Sequence, residues 1–214
     1  MTVEVEQVRT EVIEFGSLSV QFDSRVLRPR RWTTAQSAWA SAQLRTAPDG
    51  PVLELCAGVG HIGLLAMAGH TRPLVLVDLS ETACRHAAAN VEQANVSCPV
   101  EIRCGRMDEE IADDERFALI IADPPWVRSD RTGDHQDDPL HAIDGGDDGL
   151  DLARTCVQLI GRHLMDRGSA VLQVGDLEQV AAVSDHLADH PDLRLRIAEH
   201  RTFGDRGVLV LLVR

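Results

Sequence analysis

Asp123-Pro124-Pro125-Trp126 is the segment of this sequence best equipped for chemistry. Two successive prolines remove two backbone donors and fix φ twice. The residue before them is pushed to an extended conformation. The turn is rigid and presents the Asp123 carboxylate, the Pro124 carbonyl and the Trp126 ring, with Pro125 beside them. Two acceptors suit a planar nitrogen. They grip its N–H groups, favour localisation of its lone pair and hold it in line for displacement at an electrophilic carbon. Trp126 can stack on the planar group. A sulfonium methyl is such a carbon, and little acid–base power is needed because the proton can leave after transfer. Orientation of this kind supplies several kcal/mol, with about 7–11 kcal/mol as a ceiling. The bland alternative is a turn that packs a tryptophan under a loop.

A second constellation lies upstream. Glu54-Leu55-Cys56-Ala57-Gly58-Val59-Gly60-His61-Ile62-Gly63 contains G-x-G-x-x-G between a strand-like run and a helix-like one. Gly58 and Gly60 permit a tight turn and close approach to a ligand, and Gly63 permits close helix–strand packing. Asp78 ends the next apolar run, 20 residues after Gly58, where a carboxylate accepts from ribose hydroxyls. These features alone fit a nicotinamide dinucleotide or S-adenosylmethionine. Glu54, four residues before Gly58, could meet the cationic amino-acid end of the latter. The substrate-facing Asp123 motif also favours it, because a dehydrogenase does not need one. Cys56, Ala57, Leu79, Arg106 and Met107 complete the expected cofactor contacts.

The elements that must position these groups alternate along the chain. Strands are expected at Val52–Cys56, 73–78, Val100–Cys104, Phe117–Ala122 and Ser169–Val174, then at Leu193–Glu199 and Gly207–Val213. Helices are expected at 61–69, 80–95, 149–165 and 177–189. This order predicts an α/β fold: a doubly wound, Rossmann-like, seven-stranded, mostly parallel sheet with the last strand antiparallel. Right-handed crossovers then put ligands at the carboxyl ends of the strands. Residues 1–49 read as a hairpin turning at Gly16-Ser17 plus a helix over 33–46, forming a substrate lid. Residues 50–214 read as the main domain.

Composition bounds the rest. The 214 residues are 44% hydrophobic, enough for one sizeable core, but only 3% aromatic. The net charge of −13 disfavours a nucleic-acid partner, because phosphate backbones repel an acidic surface. The five cysteines show no C-x-x-C or zinc-like spacing, so no metal is expected and reduced thiols of a cytoplasmic protein are. Met1–Glu6 lacks the basic and apolar regions of a signal peptide, and no apolar run approaches a membrane span. A monomer or homodimer is expected.

The motifs together resemble the HemK/PrmC group of class I methyltransferases, which modify a glutamine side chain of peptide release factors. The resemblance is carried by Val26-Leu27-Arg28-Pro29-Arg30, Leu53–Gly60, Ile121–Val127 and Ala142–Asp151. It implies S-adenosyl-L-methionine as cofactor, with Asp123, Pro124 and Trp126 at the reacting nitrogen. Three departures stand out. The family has Asn-Pro-Pro-Tyr where Asp123 and Trp126 stand, a change that makes the motif similar to that of adenine amino methyltransferases. Only about 25 residues precede the family-like stretch, fewer than the docking domain of bacterial members. Gly105-Arg106 stands where the family has Gly-Asp beside the adenine, with Asp108 as a substitute. An Asp carboxylate favours an amino group or a cationic nitrogen over a neutral amide, whose oxygen it repels.

Residues 130–151 hold eight Asp and one Arg, a solvated acidic lid or a field that attracts a cationic substrate. His61 reads as a neutral polar contact. Arg28, Arg30 and Arg31 form a compact basic cluster, with Arg30 and Trp32 as candidate substrate contacts, although Trp32 and Trp39 fit a packing role better. The reading is therefore an N-methyltransferase acting on a small molecule or a peptide or protein side chain. An adenine N-methyltransferase and a non-catalytic cofactor-binding protein stay open.

Overall fold

The computed structural model describes residues 8–214. The expectation about a leader at Met1–Glu6 lies outside the described residues. The chain opens with an antiparallel hairpin, β1 (Glu11–Phe15) and β2 (Leu18–Phe22), closed by the expected Gly16-Ser17 turn with Gly16 at φ 60°. Helix α1 (Thr34–Gln43) follows.

The alternating part then runs β3 (Val52–Leu55), α2 (His61–Ala66), β4 (Leu74–Asp78), α3 (Glu81–Ala94), β5 (Val100–Cys104) and β6 (Phe117–Ala122). It continues through α4 (Asp151–His163), β7 (Leu164–Val174), α5 (Leu177–Asp189), β8 (Arg196–Thr202) and β9 (Val208–Val213). Seven strands form one sheet in the order β5-β4-β3-β6-β7-β9-β8. The first five lie parallel, and β9 runs antiparallel to both β7 and β8. After β3 the chain winds outward to β4 and β5, and from β6 it winds the other way. The β3/β6 boundary is therefore the switch point where such sheets bind ligands.

The central strands are apolar runs buried on both faces, as parallel strands between helices must be. Alternation divides them between two layers. Leu119 and Ile121 join the hairpin, α1 and α2 on one face, whereas Ile120 and Ala122 face α4 and α5 on the other. Residues of the N-terminal segment, including Phe15, Val20 and Trp39, thus bury their side chains in the same cluster as the sheet.

Polar clamps fix that segment. Asn90 of α3 is buried; its Nδ2 donates to the carbonyls of Gln21 and Val59, and its Oδ1 accepts from Gln21 N–H at 2.7 Å. Buried Asp23 accepts from Arg25, which holds its carboxyl well below the usual range, and its Oδ2 lies 2.9 Å from His86 Nε2. Gln36 donates from α1 to the carbonyls of Ala122 and Val171, joining the helix to the ends of β6 and β7.

Several boundaries differ from expectation; the helix expected over 33–46 spans Thr34–Gln43 and that over 149–165 spans Asp151–His163. The helix expected to reach residue 69 ends at Ala66. β7 begins at Leu164 with a register shift, because an irregular stretch with Arg167 at φ 65° is inserted before Ser169. Pro191–Leu193 forms a 3-10 turn, so β8 starts at Arg196 and not at Leu193.

Candidate active site

The parallel strands end at one cavity of about 860 Å³. Cys56, Ala57 and Gly58 line it after β3, Asp78 and Leu79 after β4, Arg106 and Met107 after β5, and Asp123 to Trp126 after β6. Arg30 and Trp32 line it from the N-terminal segment. Thirteen of the expected site positions thus share one wall system, although they span about a hundred residues of sequence.

The Gly-rich loop is held from behind. Asp78 Oδ2 accepts from Gly58 N–H at 2.7 Å and its Oδ1 from Ser80 N–H at 2.8 Å. Burial pushes the Asp78 carboxyl up, and those two donors oppose the shift. A carboxylate oxygen has room for a second donor, so Asp78 can accept from a ribose hydroxyl while still bracing the loop. Gly60 opens α2 at φ 78°, a left-handed turn that permits the chain to reverse. A Cβ on Gly58 would meet no atom within 4 Å, so this part of the loop is bare toward the cavity. Leu79, 71% exposed, and Met107 both line the cavity and offer apolar cover for a base-like ring. Asp108 also lines the cavity; Arg106 Nη2 donates to it at 2.9 Å and lowers its carboxyl pKa. A carboxylate at the second strand end, a bare glycine turn and an apolar shelf fit S-adenosylmethionine.

Two expected cofactor contacts sit elsewhere. Glu54 is 1% exposed and does not line the cavity. Its Oε2 accepts from Gly63 N–H at 3.0 Å, and burial pushes its carboxyl well above the usual range. Strand alternation directs this side chain beneath the loop toward the first turn of α2. Gly60 shapes the turn without lining the cavity.

At the other wall, Pro124 and Pro125 are buried and Asp123 and Trp126 half-buried. Burial pushes the Asp123 carboxyl up to about 7. Gln179 of α5 donates to the Trp126 carbonyl at 2.9 Å and to that of Asp148 at 3.0 Å, while Val127 and Ser129 N–H bond to Ile143 and Gly146. The Asp123 motif and the Asp-rich segment behind it are therefore one hydrogen-bonded unit. His61 is desolvated to a pKa of about 3 and lies edge-on to Phe15 at 4.7 Å, a neutral contact. Trp32 packs at 5.5 Å from Phe203, and buried Trp39 carries the Arg201 guanidinium 3.9 Å over its ring. Among the lining residues that the sequence did not single out, two bear on the chemistry. Gln173 stands near the end of β7, and Asp138 accepts from Arg30 at 2.6 Å. A glutamine interrupting the apolar run Ala170-Val171-Leu172-Gln173-Val174 was the signal for the first; for the second only the acidic stretch 130–151 as a whole stood out.

A family model described as "Methyltransferase small domain" matches residues 37–138. A release factor glutamine methyltransferase from Mycobacterium leprae is 30% identical over 206 residues, covering 91% of this chain and 69% of that protein. The chain belongs to the release factor glutamine methyltransferase family. The family assigns this methyltransferase S-adenosylmethionine as its cofactor, in agreement with the fit of the cavity. A release factor glutamine methyltransferase from Mycolicibacterium smegmatis is 29% identical, over 79% of this chain and 61% of its own length. The methyltransferase thus spans about three fifths of that relative. The ribosomal protein L11 methylase of Lactobacillus delbrueckii subsp. bulgaricus superposes with a TM-score of 0.65 at 14% identity, covering 88% of this chain and 81% of that one. This likeness concerns the fold. Among the described residues no helix is long and apolar enough to cross a membrane.

Proposed function

We propose that the methyltransferase methylates the side-chain amide nitrogen of a glutamine in a cytoplasmic protein, with a peptide release factor as the first candidate. The observation that carries the reading is the shared cavity, which has the Gly-rich loop and Asp78 on one side and Asp123 to Trp126 on the other. Bound S-adenosylmethionine supplies an electrophilic methyl on a sulfonium. Asp78 takes the ribose hydroxyls, and Leu79 and Met107 cover the base beside Asp108. Asp123 and the Pro124 carbonyl accept from the two N–H groups of the amide and keep its nitrogen in line. Trp126 covers the amide plane, Pro125 fixes the turn, and Arg30 and Trp32 close the N-terminal wall as a lid.

The Asp in place of the family's Asn first argued against an amide, because a carboxylate repels the amide oxygen. The raised pKa removes much of that objection. Near pH 7 about half the Asp123 side chains are neutral, and a neutral carboxyl keeps an acceptor oxygen without the charge.

The test is transfer of labelled methyl from S-adenosylmethionine to a purified release factor, with mass spectrometry to find the modified residue. Label on a glutamine amide supports the reading, and label on arginine, lysine or a nucleobase overturns it. Loss of label in Asp123→Ala supports the role given to Asp123.

A further inference from the structure

Gln173 is a buried side chain, 3% exposed, whose Oε1 has no hydrogen-bond partner. Such an orphan is costly in a packed interior and asks for an explanation. The orphan marks a carboxamide not committed to a protein partner on its oxygen, and its position shows what the other end faces. Ala122 pairs with Leu172 across β6 and β7, so the next step along both strands sets Asp123 beside Gln173. Ile121 and Val171 face the α1 layer together, and alternation by two carries Asp123 and Gln173 to that same face. Both line the cavity. Gln36 holds the neighbouring carbonyls of Ala122 and Val171 from above, which leaves the Gln173 carboxamide next to Asp123 without a protein group on its oxygen.

The chemistry of a carboxamide substrate leaves a role vacant at this point. Its nitrogen carries two donors, which Asp123 and the Pro124 carbonyl can take. Its carbonyl oxygen is an acceptor and needs a donor: the Pro124 carbonyl has none, and Asp123, in either protonation state, is placed at the N–H side of the amide to accept from it. The Gln173 amide can turn about its last torsion to present either end, since oxygen and nitrogen are nearly isosteric.

We propose that Gln173 reads the substrate, donating from Nε2 to the carbonyl oxygen of the carboxamide whose nitrogen Asp123 and Pro124 hold. This rests on the amide reading above and adds the residue that separates a carboxamide from an amine. A simple amine has no oxygen for Gln173 to meet.

The experiment compares the wild type with Gln173→Leu and Gln173→Glu on a purified release factor, with calorimetry for S-adenosylhomocysteine and a thermal melt as controls. Gln173→Leu should lose about 10- to 100-fold in kcat/KM and keep cofactor affinity within about twofold. Gln173→Glu carries a readout that packing would not move. Ionised, it repels the carbonyl oxygen; protonated, it donates O–H to it. Its deficit relative to wild type should shrink as pH falls from about 8.5 to 6. Leucine activity within twofold of wild type on a labelled glutamine overturns the proposal alone, as does a deficit of Gln173→Glu that is flat with pH. Wild-type label confined to amines overturns it together with the amide reading.

Discussion

Arg30 and Asp138 meet across the cavity, with the Arg30 Nη2 donating to Asp138 Oδ1 at 2.6 Å. They are 108 residues apart and belong to opposite walls, the N-terminal segment and the loop behind the Asp123 motif. The guanidinium is 43% exposed and the carboxylate 10%. A pair this open adds about 0–1 kcal/mol to stability, so its effect is on the position of the loop. Asp138→Ala should leave the melting temperature within about 2 °C and speed limited proteolysis between residues 128 and 143 several-fold. Cleavage at the wild-type rate would mean that the bonds of Val127 and Ser129 to the far side of the loop hold it without the pair.

The Asp123 carboxyl gives the reaction a pH dependence with a definite sign. Its pKa is raised to about 7 by burial, so it is neutral below that pH and ionised above. If the substrate is a carboxamide, kcat/KM should fall as pH rises through about 7. Asp123→Asn should be active and flat over the same range. Asp123→Ala, which removes the acceptor, should lose roughly 100-fold. Stability follows the same proton: between about 4 and 7 the folded chain keeps a proton that the unfolded chain releases, so stability falls as pH rises there. Comparing melts of wild type and Asp123→Asn at pH 5 and pH 8 checks this. A profile in which wild-type activity rises through pH 7 would point to an amino or cationic nitrogen.

The sheet and its ligand-binding edge were legible because the central strands are continuous apolar runs and the Gly-rich turn and double proline mark their ends. Edge strand β8 was misplaced for the converse reason. Its residues are almost all exposed, so little apolar alternation marks where it begins, and Pro191 starts a turn where a strand was expected. Glu54 was assigned to the ligand from its distance to Gly58 along the chain. Side-chain direction is set by which face of β3 looks toward α2, and it places the Glu54 Oε2 against Gly63 N–H. Gln173 and Asp138 depend on pairings between segments 50 to 108 residues apart. Nothing local distinguishes Asp138 from the other seven aspartates of its loop.

Asn90 provides a stability prediction that composition could not suggest. One side chain serves Gln21 twice and Val59 once, tying hairpin, α3 and Gly-rich loop together. Asn90→Ala would orphan two carbonyls and an N–H. At about 1–3 kcal/mol per buried group, partly relieved by water, a loss of roughly 3 kcal/mol is expected. For a chain of this size that lowers the melting temperature by roughly 6–12 °C. A loss under about 1 kcal/mol in urea titration would show that the hairpin is held by its apolar contacts alone.

Glu54 separates bracing of the loop from contact with the cofactor. Its Oε2 accepts from Gly63 N–H inside the protein, and burial, opposed by that bond and helped by the nearby Asp123 and Asp78 charges, pushes the carboxyl well above the usual range. A buried carboxyl that accepts one backbone hydrogen bond and leaves its other oxygen unpartnered is closely matched in shape by an amide. Glu54→Gln should therefore melt within about 2 °C of wild type and bind S-adenosylmethionine within about threefold. Glu54→Ala orphans the Gly63 donor and opens a void beneath the loop, so it should lose about 1–3 kcal/mol of stability. An ion pair between Glu54 and the amino group of the cofactor predicts a different pattern. Glu54→Gln would then weaken binding tenfold or more while the fold stayed intact, and calorimetry on that single variant distinguishes the two.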